Sequence, residues 1–152
     1  MKKKLLIMIT AVLTVVAGLG LSGVGSGTAD AKWHPTPMYY NVFGNDQFAA
    51  GNGCHGSLVA GISDDRAKPG KIRVTVRSRG FTKNNCKVRF TVDWLNGAAP
   101  LGKQKHYTVS GTKKPGKVLL QKEIWIGSGL AMIVFRSGGP VQKPTGGYIW
   151  VT

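Results

Sequence analysis

The stretch from Lys71 to Leu95, KIRVTVRSRGFTKNNCKVRFTVDWL, constrains the fold more than any other. It holds two alternating runs with a short polar connection, and one set of their positions is apolar: Ile72, Val74 and Val76, then Val88, Phe90, Val92 and Trp94. The intervening positions are Lys71, Arg73, Thr75, Arg77 and Arg79, then Lys87, Arg89, Thr91 and Asp93. Successive side chains of a strand point to opposite faces, so this alternation predicts two half-buried strands. Their outward positions carry six cations against the single acid Asp93.

The remaining chain after residue 53 follows the same grammar. Strands are expected at Ser57–Ile62, Lys71–Arg79, Cys86–Leu95, Lys103–Ser110, Lys117–Ile126, Gly129–Arg136 and Gly147–Thr152. Between them lie turn formers such as Asp64-Asp65, Asn84-Asn85, Asn96-Gly97 and Gly127-Ser128-Gly129. Lys68-Pro69-Gly70-Lys71 recurs as Lys114-Pro115-Gly116-Lys117, with Pro and Gly at the central positions of a tight turn. No long window after residue 31 has a helical 3.6-residue period. Seven short strands over about 100 residues predict an all-β chain, a β-sandwich or a small β-barrel. The strand count resembles the immunoglobulin-like β-sandwich, a likeness of architecture that names no family.

The chain begins with Lys2, Lys3 and Lys4, an apolar run from Leu5 to about Leu21, and small residues ending in Ala29-Asp30-Ala31. That layout predicts a secretory signal peptide over residues 1–31, with cleavage before Lys32. The expected organisation is therefore 1–31 signal peptide, 32–53 aromatic-rich N-terminal arm and 54–152 β-sandwich domain. A secreted protein with no stable membrane insertion after cleavage follows. In an oxidising compartment the two cysteines are expected to pair as Cys54–Cys86. Cys54 precedes the first expected strand and Cys86 opens the third. The bond is thus expected to tie the incoming segment to the sheet, without joining two sheets.

Removing Lys2, Lys3, Lys4 and Asp30 from the 21 Lys+Arg and 6 Asp+Glu leaves 18 against 5, a net charge of +13. Such a charge favours polyanions. An exported protein meets teichoic acids, acidic glycans and anionic lipid headgroups. Two arrangements of the basic rows are open. If the two strands of 71–95 pair as a hairpin, Lys71, Arg73, Arg77, Arg79, Lys87 and Arg89 share one face, with Lys68, Lys114 and Lys117 as outlying contacts. If the connection crosses between sheets, the rows lie on opposite outer faces. The shared face is the expectation. In the arm, Trp33, Tyr39 and Tyr40 are candidate stacking or interfacial anchors.

Catalytic patterns are sparse. No nucleophile elbow, phosphate loop or spaced metal-ligand motif occurs. Glycosidase chemistry needs two acids facing one bond, and nothing in the sequence singles out Asp93 with Glu123 as such a pair. Cleavage before Lys32 would place His34 third, where the amine, two amide nitrogens and the imidazole suit Cu(II) or Ni(II). No resident cofactor is expected. The function expected is a non-catalytic binding module for anionic polymers or cell-envelope surfaces. The alternative is a secreted cationic antimicrobial protein. A third class is a module with a protein target, recognised through 96–102 or 138–147.

Overall fold

The structure is a computed structural model, and it describes residues 33–37, 46–51, 53–97, 102–138 and 144–152. Among these residues there is no helix. Nine strands form: β1 (His34–Pro35), β2 (Asp46–Gly51), β3 (Cys54–Asp64), β4 (Lys71–Phe81), β5 (Cys86–Asn96), β6 (Lys103–Gly111), β7 (Val118–Trp125), β8 (Gly129–Ser137) and β9 (Thr145–Val151). The seven strands expected after residue 53 are all present. The segment 32–53 adds β1 and β2, which pair with β3 over Ser63–Asp64 and Cys54–Val59.

The strands form two antiparallel sheets. One has the order β1-β3-β4-β7 with β2 also on β3, and the other β6-β5-β8-β9. Both contribute to one core. Leu58, Ile72, Val74, Val76 and Ile124 come from the first sheet, and Phe90, Val92, Ile133, Phe135 and Ile149 from the second. The arrangement is sandwich-like, and the alternating apolar residues drive it. Burying such side chains contributes on the order of 1.5–3 kcal/mol each before conformational entropy is counted.

Two expectations need correction. First, β4 and β5 do not pair. The edges of β4 are occupied by β3 and β7, and those of β5 by β6 and β8. Neither strand has an edge left for the other, so residues 82–85 cross between the sheets. The two basic rows therefore belong to different sheets. Secondly, β3 begins at Cys54, because β2 extends the ladder to the Gly51↔Cys54 pair. The Cys54–Cys86 bond, with Cα atoms 6.0 Å apart, consequently joins one sheet to the other.

Beside this bond the ring of Phe81 occupies a slot floored by glycine. A Cβ at Gly56 would come within 2.5 Å of the Phe81 ring, and one at Gly111 within 2.7 Å. The Lys68–Lys71 turn forms as its residues dictate. Lys71 N donates to Lys68 O at 3.1 Å, and Gly70 takes φ 74°. The edge strands β6 and β7 carry Lys103, Lys105 and Lys122 in register with buried Trp94, Val92 and Val74. These core-side lysines stay exposed, a device that discourages pairing with another chain.

A candidate anion-binding end and an aromatic face

The two ends of the sandwich differ in how their cations are accompanied by acids. The disulfide end holds the β4–β5 turn, the β6–β7 turn and the bond between Cys54 and Cys86. Ser78, fully buried on β4, fastens the β6–β7 turn to it. Its N–H donates to Lys117 O at 2.9 Å, its carbonyl accepts from Gly116 N at 2.7 Å, and its hydroxyl donates to Thr112 O at 2.8 Å. Asn84 Oδ1 in the β4–β5 turn accepts from Thr112 Oγ1 at 2.9 Å and Lys113 N at 3.0 Å. The neighbouring Asn85 adopts φ 59°, a conformation that Asn tolerates better than most residues. Through these bonds Lys113, Lys114 and Lys117 are held beside Arg77, Arg79 and Lys83, and all six are exposed. Arg77 Nη1 also donates to Gly116 O at 3.4 Å.

The acids with described side chains lie toward the other end. Asp64 accepts from Thr36 at 2.9 Å and from Thr152 at 3.2 Å. The buried Asp65 accepts from Ala67 N at 3.0 Å in the next turn. Glu123 pairs with Arg73 at 2.9 Å and Lys68 at 3.5 Å. These cations hold its carboxyl below the usual range, the Arg73 hydrogen bond contributing most. Both also lie over the Trp33 ring, Arg73 at 4.0 Å and Lys68 at 5.2 Å from its centroid. Trp33 is thus engaged with the sheet's own cations. Asp93 binds Arg136 in a two-pronged contact of 2.7 Å and 2.7 Å, which raises the guanidinium above its ordinary value. Asp46 holds a register position two strands from Arg77, through Val59.

The six basic residues singled out from sequence are therefore divided. Lys71 and Arg73 sit at the end that holds Asp64, Asp65 and Glu123. Arg77 and Arg79 close β4 at the disulfide end, where Lys87 and Arg89 open β5 on the other sheet. Lys114 and Lys117, expected as outlying contacts, are central to the cationic cluster. Asp93 and Glu123 stand on the outer faces of different sheets, so they cannot flank one bond. His34 is exposed on β1. Lys32, Tyr39, Tyr40, residues 1–31 expected as a signal peptide, and most of the two candidate loops lie outside the described residues. Among the described residues no helix is long and apolar enough to cross a membrane, and no group of three or more His, Cys, Asp or Glu is placed to hold a metal.

Sequence reasoning missed a second feature, on the outer face of β6-β5-β8-β9. Trp150 is 62% exposed, Leu130 51% and Tyr148 42%. Register places Leu130 opposite Trp150 and Met132 opposite Tyr148, with Leu95 next in the same row. The signal was in Tyr148-Ile149-Trp150-Val151, where burying Ile149 and Val151 leaves both rings outward. Toward the disulfide end this face becomes polar. A shallow depression of about 140 Å³ is lined by Arg89, Thr91, Gln104, His106 and Arg136. Thr91 Oγ1 and His106 Nδ1 are 3.0 Å apart. An apolar depression of about 220 Å³, lined by Leu95, Met132 and Val134, lies beyond Asp93.

Comparison with protein-family models, curated proteins and solved structures finds no match to this chain.

Proposed function

We propose that this is a secreted, non-catalytic module that binds an anionic polymer or cell-envelope surface through the disulfide end. The observation that carries the reading is a cluster of cations set away from the acids with described side chains. Six exposed cations are gathered by Ser78 and Asn84 at one end, while the described acids that pair with arginine lie toward the other. Gathering like charges raises the local potential, and a polyanion that releases its counterions there binds more tightly. Secretion is supported by the signal-peptide layout and by the disulfide. The immunoglobulin-like assignment belongs to the same proposal. It rests on the order β3-β4-β7 against β6-β5-β8-β9, where the third strand after residue 53 pairs with the sixth and the second with the fifth.

The test separates location from total charge. The triple variant Lys113→Gln, Lys114→Gln, Lys117→Gln and a control triple, Arg66→Gln, Lys71→Gln, Lys105→Gln, change the net charge equally. Retention on immobilised polyphosphate is measured against salt. The first triple should elute at clearly lower salt than the control, its log–log salt slope reduced by roughly one per lost contact. Equal losses would assign binding to net charge alone. Retention of the wild type no better than that of an unrelated basic protein would end the proposal.

A further inference from the structure

The geometry points to an acidic glycan as the ligand class, with its sugar rings stacking on the face formed by Trp150, Tyr148 and Leu130. This rests on the anionic-polymer reading and adds a second contact surface to it. Along β5 the outward residues run Lys87, Arg89, Thr91, Asp93, Leu95, and along β8 they run Arg136, Val134, Met132, Leu130. Both strands therefore pass from basic to apolar in the same direction. From Lys87 to Leu95 the distance is about 27 Å at the usual strand rise. A polymer lying along this face meets cations first, then hydrogen-bonding groups, then aromatic rings.

Each segment matches a part of an acidic polysaccharide. Anionic groups fall to Lys87 and Arg89. Hydroxyls find Gln104, His106 and Thr91 in the polar depression, and the apolar face of a pyranose ring finds Trp150 and Tyr148. The rings stand on a strand whose other side, Ile149 and Val151, is buried, so the platform is rigid before ligand arrives. A bilayer fits less well. The exposed rings lie on a flat sheet and not on a protruding loop, and apolar burial of Gln104 and His106 would leave polar groups unpaired. A second copy fits less well too, since it would bring another strongly cationic chain against this one.

The experiment compares the wild type with Tyr148→Ala/Trp150→Ala, an exposed pair whose loss leaves the core intact, as circular dichroism and thermal melting would verify. Calorimetry uses polygalacturonate, which has rings and charge, and long-chain inorganic polyphosphate, which has charge alone. Expected is a loss of about tenfold or more in polygalacturonate affinity, with polyphosphate affinity unchanged. Polygalacturonate affinity that survives the double substitution overturns the inference, as does failure of the wild type to bind polygalacturonate. In either case retained polyphosphate binding leaves the cationic end standing, so the two failures are distinguishable. Two other results also overturn it. One is partition onto phosphatidylglycerol vesicles that requires the two rings, with or without leakage. The other is a wild-type dimer in sedimentation that the variant dissociates.

Discussion

Strands β4 and β5 open with almost the same residues and finish in opposite settings. Lys71-Ile72-Arg73-Val74-Thr75-Val76 and Lys87-Val88-Arg89-Phe90-Thr91-Val92 share Lys, Arg, Thr and Val at matching positions. Their apolar residues behave alike, and all six are buried. Their polar residues do not. Arg73 is held between Glu123 and Trp33, whereas Arg89 borders an open polar depression. The cause is topological. The short turn at 82–85 reverses the chain, so β4 starts where Glu123 lies and β5 at the cationic end. The crossing between sheets gives the two strands different neighbours, β3 and β7 against β6 and β8. Periodicity decides which face a residue occupies; the long-range pairing decides what it meets there.

The largest effect should come from cutting the bond that joins the two strands' sheets. Cys54→Ala with Cys86→Ala opens a loop spanning a sequence separation of 32. The chain-entropy account gives a loss of about 3–4 kcal/mol, to be read from urea denaturation. A loss under about 1 kcal/mol would mean that the shared core alone holds β3 to β5. Next should come Gly56→Ala, which drives a methyl against the Phe81 ring and Gly80 O. Overpacking of this kind costs about 1–3 kcal/mol. Gly61→Ala, on the same strand but with nothing within 4 Å of its added methyl, is the control and should change little.

Much of this framework was legible in the chain. The seven strands follow from apolar alternation and from the turn formers between them; alternation is clearest in β4 and β5, and weakest in the edge strands β6 and β7, which bury few residues. The sequence places the start of β3 too late because Cys54-His55-Gly56-Ser57 lacks the alternating apolar signal, and its early ladder is imposed by β2. β1 contains Pro35, a residue that argues against a strand except at an edge, which is where it lies. The cationic end was not legible. It depends on Ser78 and Asn84 reaching the β6–β7 turn some 30 residues away, and neither residue announces that role. The arm reads as an aromatic platform in the sequence, yet Trp33 stacks on Arg73 and Lys68. Trp150 and Tyr148 stand exposed on the last strand, where outward parity marks them, and Trp125 is exposed at the end of β7.

The matched substitutions Arg73→Ala and Arg89→Ala test the comparison directly. Arg73→Ala removes both the contact with Trp33 and the pair with Glu123, and a loss of about 1 kcal/mol is expected. Arg89→Ala should stay within about 0.5 kcal/mol of the wild type, as surface changes usually do. The ordering should reverse in polyanion retention, where Arg89→Ala elutes earlier and Arg73→Ala behaves as the wild type. Equal stability losses would show that the shared motif, and not its setting, determines the contribution.

The smallest effect is one of pH, and it belongs to the contact between Arg73 of β4 and Glu123 of β7. The Glu123 carboxyl is held below the ordinary glutamate range, first by the Arg73 hydrogen bond and then by Lys68. A depressed folded-state pKa favours the native state above the unfolded value, about 4.3, and that contribution is lost as pH falls through the lowered one. Because Glu123 is exposed, screening keeps the step small. Melting temperatures of the wild type and Glu123→Gln should therefore differ slightly at pH 6 and converge toward pH 3. Other carboxylates titrate in the same window but are common to both proteins and cancel in the difference. The difference between the wild type and Arg89→Ala should stay flat across that range. Parallel curves for Glu123→Gln would mean that Trp33 alone holds Arg73, and the contrast between the strands would then rest on one aromatic ring.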